Sequence, residues 1–169
     1  MPDGNDAYRE EMITLDALDR QILHELQEDC RIQYRELAKR TGKAIGTISN
    51  RIQNLIRKGV IKRWTIQIDP EALGYDFTAI LHIKIDVVHI NQINKELAKI
   101  KELYALYNVT GDNDIVALGR FVNRRHLDQV IHRILAIPHI QRTSTSLVLR
   151  QLKEDLRVHV PQHEESQTG

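Results

Sequence analysis

The sequence predicts an α+β protein of two domains, an all-helical N-terminal part followed by a β-α-β-β-α-β remainder. Three observations predict it. Apolar residues recur at three- and four-residue steps as far as Lys58; the period shortens towards two from Val60; and ten basic residues crowd into residues 31–63. The chain has 169 residues, which suits two small domains.

Thr14 is placed to cap a first helix with Asp16 in its first turn, and Leu15, Leu18, Ile22, Leu23 and Leu26 form one apolar face running to about Asp29. A second helix is read over Tyr34–Arg40, with Leu37 and Ala38 facing inward, and Thr41-Gly42 ends it because glycine tolerates the left-handed conformation. A third runs from about Ala44 to Lys58. Its apolar stripe is Ile45, Ile48, Ile52, Leu55 and Ile56; Thr47, Asn50, Arg51, Asn54 and Arg57 lie on or beside the opposite face, and Gly59 closes it.

Three short helices with a tight turn before the third make a helix-turn-helix, whose third helix enters the major groove of DNA. Charge points the same way. Residues 31–63 carry Arg31, Arg35, Lys39, Arg40, Lys43, Arg51, Arg57, Lys58, Lys62 and Arg63 against Glu36 alone, a net +9, although the whole chain is only +1. Such a segment draws a polyanion, and neutralising phosphates releases condensed counterions. Asn and Arg pair with purine edges, while Thr, Lys and Arg reach phosphate oxygens.

From Val60 the alternation of Trp64, Ile66 and Ile68 with Thr65, Gln67 and Asp69 predicts an extended linker strand, punctuated by Pro70 and Gly74. A strand over Ala79–Asp86, a helix over Asn91–Ile100, a strand over Leu103–Val109, the turn Gly111-Asp112-Asn113-Asp114 and a strand over Ile115–Phe121 follow. A helix over Asn123–Leu135 and a last strand over Ile140–Leu152 complete the split βαβ order. Two helices cover one face of such a sheet; burying the other face calls for a partner copy. The resulting division is a tail over residues 1–12, a helix-turn-helix domain over 13–63, a linker strand over 64–74, an α/β domain over 75–153 and a tail over 154–169.

Other function classes find no support. Cys30 is the single cysteine, read as a small buried apolar residue, and with no h-region at the N-terminus and no apolar run near ~20 residues the expected place is the cytoplasm, away from a membrane. The eight histidines His24, His82, His89, His126, His132, His139, His159 and His163 make no HExxH pair, so neither a metal site nor a catalytic residue nor a cofactor is expected.

The run LDALDRQILHELQEDCRIQYRELAKRTG, followed by ISNRIQNLIRKGVIKRWTIQIDPEALG, resembles the DNA-binding half of the Lrp/AsnC family of regulators, and VTGDNDIVALGRF resembles that family's loop between two strands. Together the likeness spans residues 13–153. It implies a (winged) helix-turn-helix domain joined to a ferredoxin-like sandwich, the RAM-type domain. It also implies a homodimer on double-stranded DNA, assembling to a tetramer or octamer, with an amino acid or related metabolite as effector. Carried over by position, Thr47, Asn50, Arg51 and Asn54 match the groove-facing set, with Arg35 and Lys43 near phosphates. Gly111, Asp112 and Asp114 occupy the loop, and Thr143 and Thr145 fall on the strand that helps line the effector pocket. An α-amino acid needs oxygen acceptors for its ammonium and N–H donors for its carboxylate, which Asp112 or Asp114, the backbone beside Gly111 and a threonine hydroxyl supply. The sequence departs from the family at Gln33 and Ala44, where serine or threonine is usual before the second and third helices; a missing N-cap costs about 1 kcal/mol. Gly46 either weakens the third helix, by up to ~1 kcal/mol relative to alanine, or permits close backbone approach to phosphate. Two other readings stay open: an enzyme similar to the sirohaem decarboxylases, which share both domains, and an architectural DNA binder indifferent to metabolites.

Overall fold

The computed structural model describes residues 13–161, and the chain divides into two compact units, one of residues 13–66 with 155–161 and the other of residues 67–154. The tail predicted for residues 1–12, and residues 162–169 of the other tail, lie outside the described residues.

In the first unit, α1 spans Ala17–Glu28, α2 Tyr34–Thr41 and α3 Ile45–Arg57. Asp16, rather than the expected Thr14, caps α1: its Oδ1 accepts from the Asp19 N–H at 2.8 Å while Asp19 Oδ2 accepts from the Asp16 N–H at 3.4 Å. This reciprocal box satisfies two of the donors that a helix start leaves free. Neither Gln33 nor Ala44 caps its helix with a side chain: alanine has no acceptor, and the Gln33 amide makes no such bond. Gly42 ends α2 at φ 67, a left-handed conformation that residues with a side chain rarely adopt, although the space around it is open. Ile22, Leu26, Leu37, Ala38, Ile48, Ile52 and Leu55 form the buried core, with Val60 and Ile61 packed against it. Two members of the expected apolar stripe fall outside it. Ile45 is 50% exposed and Ile56 37%, because both sit at the rim of the α3 wheel, to one side of the Ile48–Ile52–Leu55 line. Cys30 is exposed, not buried: it follows the α1 C-cap Asp29 in the connection to α2. Residues 155–161 form neither helix nor strand, but they lie along α1. Gln27 and Val158 exchange two hydrogen bonds at 2.8 and 3.0 Å, and Arg157 pairs with Glu28 at 2.6 Å.

In the second unit β1 (Phe77–Ile85), α4 (Ile90–Leu97), β2 (Leu103–Asn108), β3 (Ile115–Phe121), α5 (Arg124–Leu135) and β4 (Ile140–Leu147) follow in the predicted order. The strands make one antiparallel sheet in the order β2-β3-β1-β4, the ferredoxin-like arrangement. Alternation sorts the strand residues. Ala79, Leu81, Ile83 and Ile85, together with Ile115, Ala117 and Phe121, turn towards Ile93, Leu97, Leu127, Val130 and Ile134 of the helices. Neighbours of opposite parity, among them Ile80, His82, Val116, Leu118 and Ser144, occupy the face with no helix.

Residues 64–74 form no strand, since no other described segment pairs with them; a 3-10 turn over Glu71–Leu73 closes the stretch, and Ile66 is 74% exposed. β4 stops at Leu147 instead of Leu152, because its partner β1 begins at Phe77 and only the Val148 N–H to Thr78 C=O bond extends the ladder. At the other end of β4, Ile137 to Ile140 make a turn with Pro138 second and His139 third, closed by the Ile140 N–H on the Ile137 carbonyl at 3.3 Å. His139 takes φ 70, the single positive φ outside glycine among the described residues. Holding a side chain there costs about 1 kcal/mol or more.

Candidate nucleic-acid interface and effector site

The outward face of α3 is set by its burial pattern. With Ile48, Ile52 and Leu55 turned inward, Gly46, Asn50, Gln53 and Arg57 project outward at steps of three and four, flanked by Lys43 and Thr47, all exposed. Gln53 is absent from the sequence-based set, although the i, i+4, i+7 rhythm of Gly46, Asn50 and Gln53 carries it. In the same unit Arg35, Lys39, Lys43, Lys58, Lys62 and Arg63 are exposed, and none makes an ion pair with another described residue, so their charge is available to phosphates.

Arg51 is differently placed. It is half-buried, and its Nη1 donates to Asp16 Oδ2 at 2.6 Å and to Asp19 at 3.2 and 3.3 Å, tying α3 to the start of α1. The pair raises the guanidinium pKa, while the Asp19 N–H and then Arg51 hold the Asp16 carboxyl below its usual range. Asn54 is also half-buried, and its Oδ1 accepts from Arg57 Nη2 at 2.7 Å. Arg51→Ala is therefore expected to lower thermal stability by less than about 1 kcal/mol per ion pair lost, with little change in DNA affinity of the folded protein; a melt and a binding isotherm on one sample check this.

Gly46 leaves open space where a Cβ would stand and has no positive φ. Alanine in its place is expected to stabilise the domain by roughly 0.5–1 kcal/mol. Weakened DNA binding by this more stable variant would locate the phosphate backbone against the glycine.

In the second unit the predicted effector residues are only partly brought together. Gly111, at φ 110, and the exposed Asp112 stand on the β2–β3 connection. Asp114 serves the fold: its Oδ2 accepts from the Ile85 N–H at 2.9 Å and its Oδ1 from Lys84 Nζ at 3.1 Å. The backbone bond first, then the lysine, lowers its pKa. Thr143 and Thr145 pair with Ile83 and Leu81 and so belong to the helix-covered side; Thr143 shares a cross-sheet row with Ile83 and Ile115, two strands from the loop. The sign of the Asp114 shift fixes a pH dependence. Its contribution is fully present above 3.8, the ordinary aspartate value, and is lost as pH falls below it through the lowered folded value. Acid titration followed by circular dichroism is expected to show a loss of stability in that window that Asp114→Asn flattens.

A separate cavity of about 410 Å³ is lined by Ile68, Leu73, Tyr75, Glu102, Tyr104 and Arg120 among others. The Arg120 guanidinium lies 4.3 Å from the Tyr104 ring centroid, and Glu154 accepts from both, at 2.5 Å from Arg120 and 3.0 Å from the Tyr104 hydroxyl. Burial, then the Glu154 bond, pushes the Tyr104 pKa up to about 12. Nothing in the sequence pattern marks this cavity, since its lining comes from separate elements.

Comparison with known proteins accords with both units. The family model described as winged helix-turn-helix DNA-binding matches residues 15–62, and the model described as Lrp/AsnC ligand binding domain matches residues 78–158. An uncharacterized HTH-type transcriptional regulator of Pyrococcus horikoshii is 42% identical over 144 residues, 85% of this chain and 97% of the relative. The HTH-type transcriptional regulator FL11 of the same organism is 39% identical, over 84% of this chain and 94% of its own. Among solved structures, E. coli AsnC (30% identity, TM-score 0.81) covers 88% of this chain and 99% of its own. The feast or famine regulatory protein of M. tuberculosis complexed with L-methionine has the same identity and TM-score and covers 88% and 100%. These relatives are transcriptional regulators and none of them is named as an enzyme. No helix among the described residues is long and apolar enough to cross a membrane. With a helix-turn-helix unit whose third helix presents polar side chains within a basic surround, and a βαββαβ unit matched along its length, the chain belongs to the Lrp/AsnC family of transcriptional regulators.

Proposed function

We propose that this regulator binds specific double-stranded DNA through the outward face of α3, and that an amino acid or related small metabolite on the second unit tunes that binding. The observation that carries the first half is the row Gly46, Asn50, Gln53 and Arg57 on a helix surrounded by unpaired lysines and arginines. Asn50 and Gln53 have the paired donor and acceptor that match the adenine edge in the major groove, while Arg35, Lys43 and Thr47 reach phosphates. Gly111, Asp112, Thr143 and Thr145 are the effector residues in this reading, with Asp114 holding the loop end to β1. Support for a metabolite comes from a neighbour solved with L-methionine.

The helix-free sheet face carries Ile80, Val116, Leu118 and the 56% exposed Tyr107, an apolar surface that a second copy covers in a homodimer, with tetramers or octamers built from it. Such a dimer sets two recognition helices about one DNA turn apart, ~34 Å, on a pseudo-palindrome. Selection of genomic fragments by the purified protein, with and without an amino-acid pool, tests the whole reading. A palindromic motif whose enrichment shifts with the pool supports it. A motif indifferent to the pool removes the effector, and no motif in either condition leaves an architectural binder.

A further inference from the structure

The eight histidines look scattered in the sequence, yet two of them, fifty positions apart, meet at one end of the sheet. His89 closes a 3-10 turn between β1 and α4, and His139 stands in the turn that opens β4. Their rings are parallel within 2° with centroids 3.5 Å apart. Asp86 joins them. Its Oδ2 lies 3.1 Å from His89 Nδ1, its Oδ1 accepts from the Val88 N–H, and its own N–H donates to the His139 carbonyl at 2.9 Å. One ligating atom from each of the three residues falls within 4.8 Å of the other two.

We propose that Asp86, His89 and His139 form a binding site for one divalent transition-metal ion, zinc foremost. The donor set is two imidazole nitrogens and one carboxylate oxygen, which suits zinc, cobalt(II) or nickel and is poor for calcium or magnesium. Neighbouring ligands around a tetrahedral zinc stand about 3.4 Å apart at Zn–N distances near 2.0–2.1 Å. The 3.1 Å Asp86–His89 spacing is close to that, so the two atoms can share an ion set to one side of the line between them. An imidazole binds a metal in the plane of its ring, so the parallel stack opens on binding: a side-chain rotation of the exposed His139 tilts its ring and closes the wider separations. Three protein ligands leave a fourth position for water.

Two features favour a ligand role over chance proximity. Pro138 and His139 occupy the second and third places of a turn whose third residue has positive φ, a place glycine would take without strain and histidine holds at a cost. The β1–β4 register also slips at this point: Lys84 faces Arg142 but Ile85 faces Ile140, so Gln141 has no counterpart, and the slip brings the His139 carbonyl onto the Asp86 N–H. Three elements, β1, α4 and β4, would thus be fastened by one ion.

The test uses the full chain stripped by a chelator and titrated with cobalt(II), followed by zinc competition. One equivalent per chain is expected, with a visible d–d absorption of tetrahedral type and a rise in melting temperature on zinc addition. His139→Gly removes the ligand while keeping a residue at home at φ 70, and Asp86→Asn keeps the cap on Val88 while weakening the ligand. Each is expected to loosen zinc at least tenfold, whereas His132→Ala, which alters an exposed histidine on α5, leaves it unchanged. Absence of saturable binding in the parent, or equal affinity in His139→Gly and the parent, overturns the assignment. Should His139→Gly prove unstable by circular dichroism, His89→Gln takes its place under the same criterion.

Discussion

Asn50→Ala and Gln53→Ala are each expected to weaken binding to a selected operator roughly tenfold to a hundredfold, while affinity for an unrelated duplex and the melting temperature stay where they were. Both side chains are exposed on α3 and neither has a hydrogen-bond partner among the described residues, so their removal leaves the fold intact. A paired contact to a base edge is worth about 1–3 kcal/mol of discrimination, whereas a phosphate contact lowers affinity for all sequences alike. Lys43→Ala is the control of the second kind, reducing specific and unspecific binding together and lessening the salt dependence. Competition isotherms at two salt concentrations separate the cases. Unchanged specific affinity in both Asn50→Ala and Gln53→Ala would remove the outward face of α3 from base recognition.

The largest effect on stability is expected at Phe121, fully buried at the end of β3. Phe121→Ala should destabilise the second unit by about 3–5 kcal/mol, through lost apolar burial and the cavity left behind. Gly119, two positions earlier on the same face, explains why the ring fits. A Cβ there would stand 2.5 and 2.9 Å from two Phe121 ring carbons and 3.1 Å from a Leu103 methyl, so the aromatic ring lies where a side chain would be. Gly119→Ala is therefore expected to cost about 1–3 kcal/mol by overpacking. In a Phe121→Leu background the same change should cost less, because the clashing ring atoms are gone. Chemical denaturation of the four proteins of this cycle reads the coupling, and additive losses would refute the ring-over-glycine account.

Much of the fold was legible because each element writes its own period. Ile48, Ile52 and Leu55 at helical steps, and Leu81, Ile83 and Ile85 in alternation, are local statements of which side faces a core, and the βαββαβ order followed from them. Local chemistry also announced Gly42 as a helix end and the uncapped starts at Gln33 and Ala44. Where a choice depended on a competitor elsewhere in the chain, periodicity was silent. Thr14 and Asp16 are both able caps, and the reciprocal bond with Asp19 decides for Asp16. Trp64, Ile66 and Ile68 alternate like a strand, but a strand exists only where another segment supplies hydrogen bonds.

The sequence by itself determined the two-domain architecture, the family and the basic character of the helix-turn-helix unit, since all three rest on residue type and short-range spacing. Tertiary structure alone decided which polar residues are free to act. Arg51 is turned from the outward face by the carboxylates of Asp16 and Asp19, and Asp114 is occupied by Lys84 and the backbone of β1. His89 and His139 are brought together only by the pairing of β1 with β4. The physical reason is one of range: a hydrophobic period is set within a turn or two of chain, whereas an ion pair or a ligand cluster joins residues tens of positions apart, whose meeting depends on the packing of the whole unit.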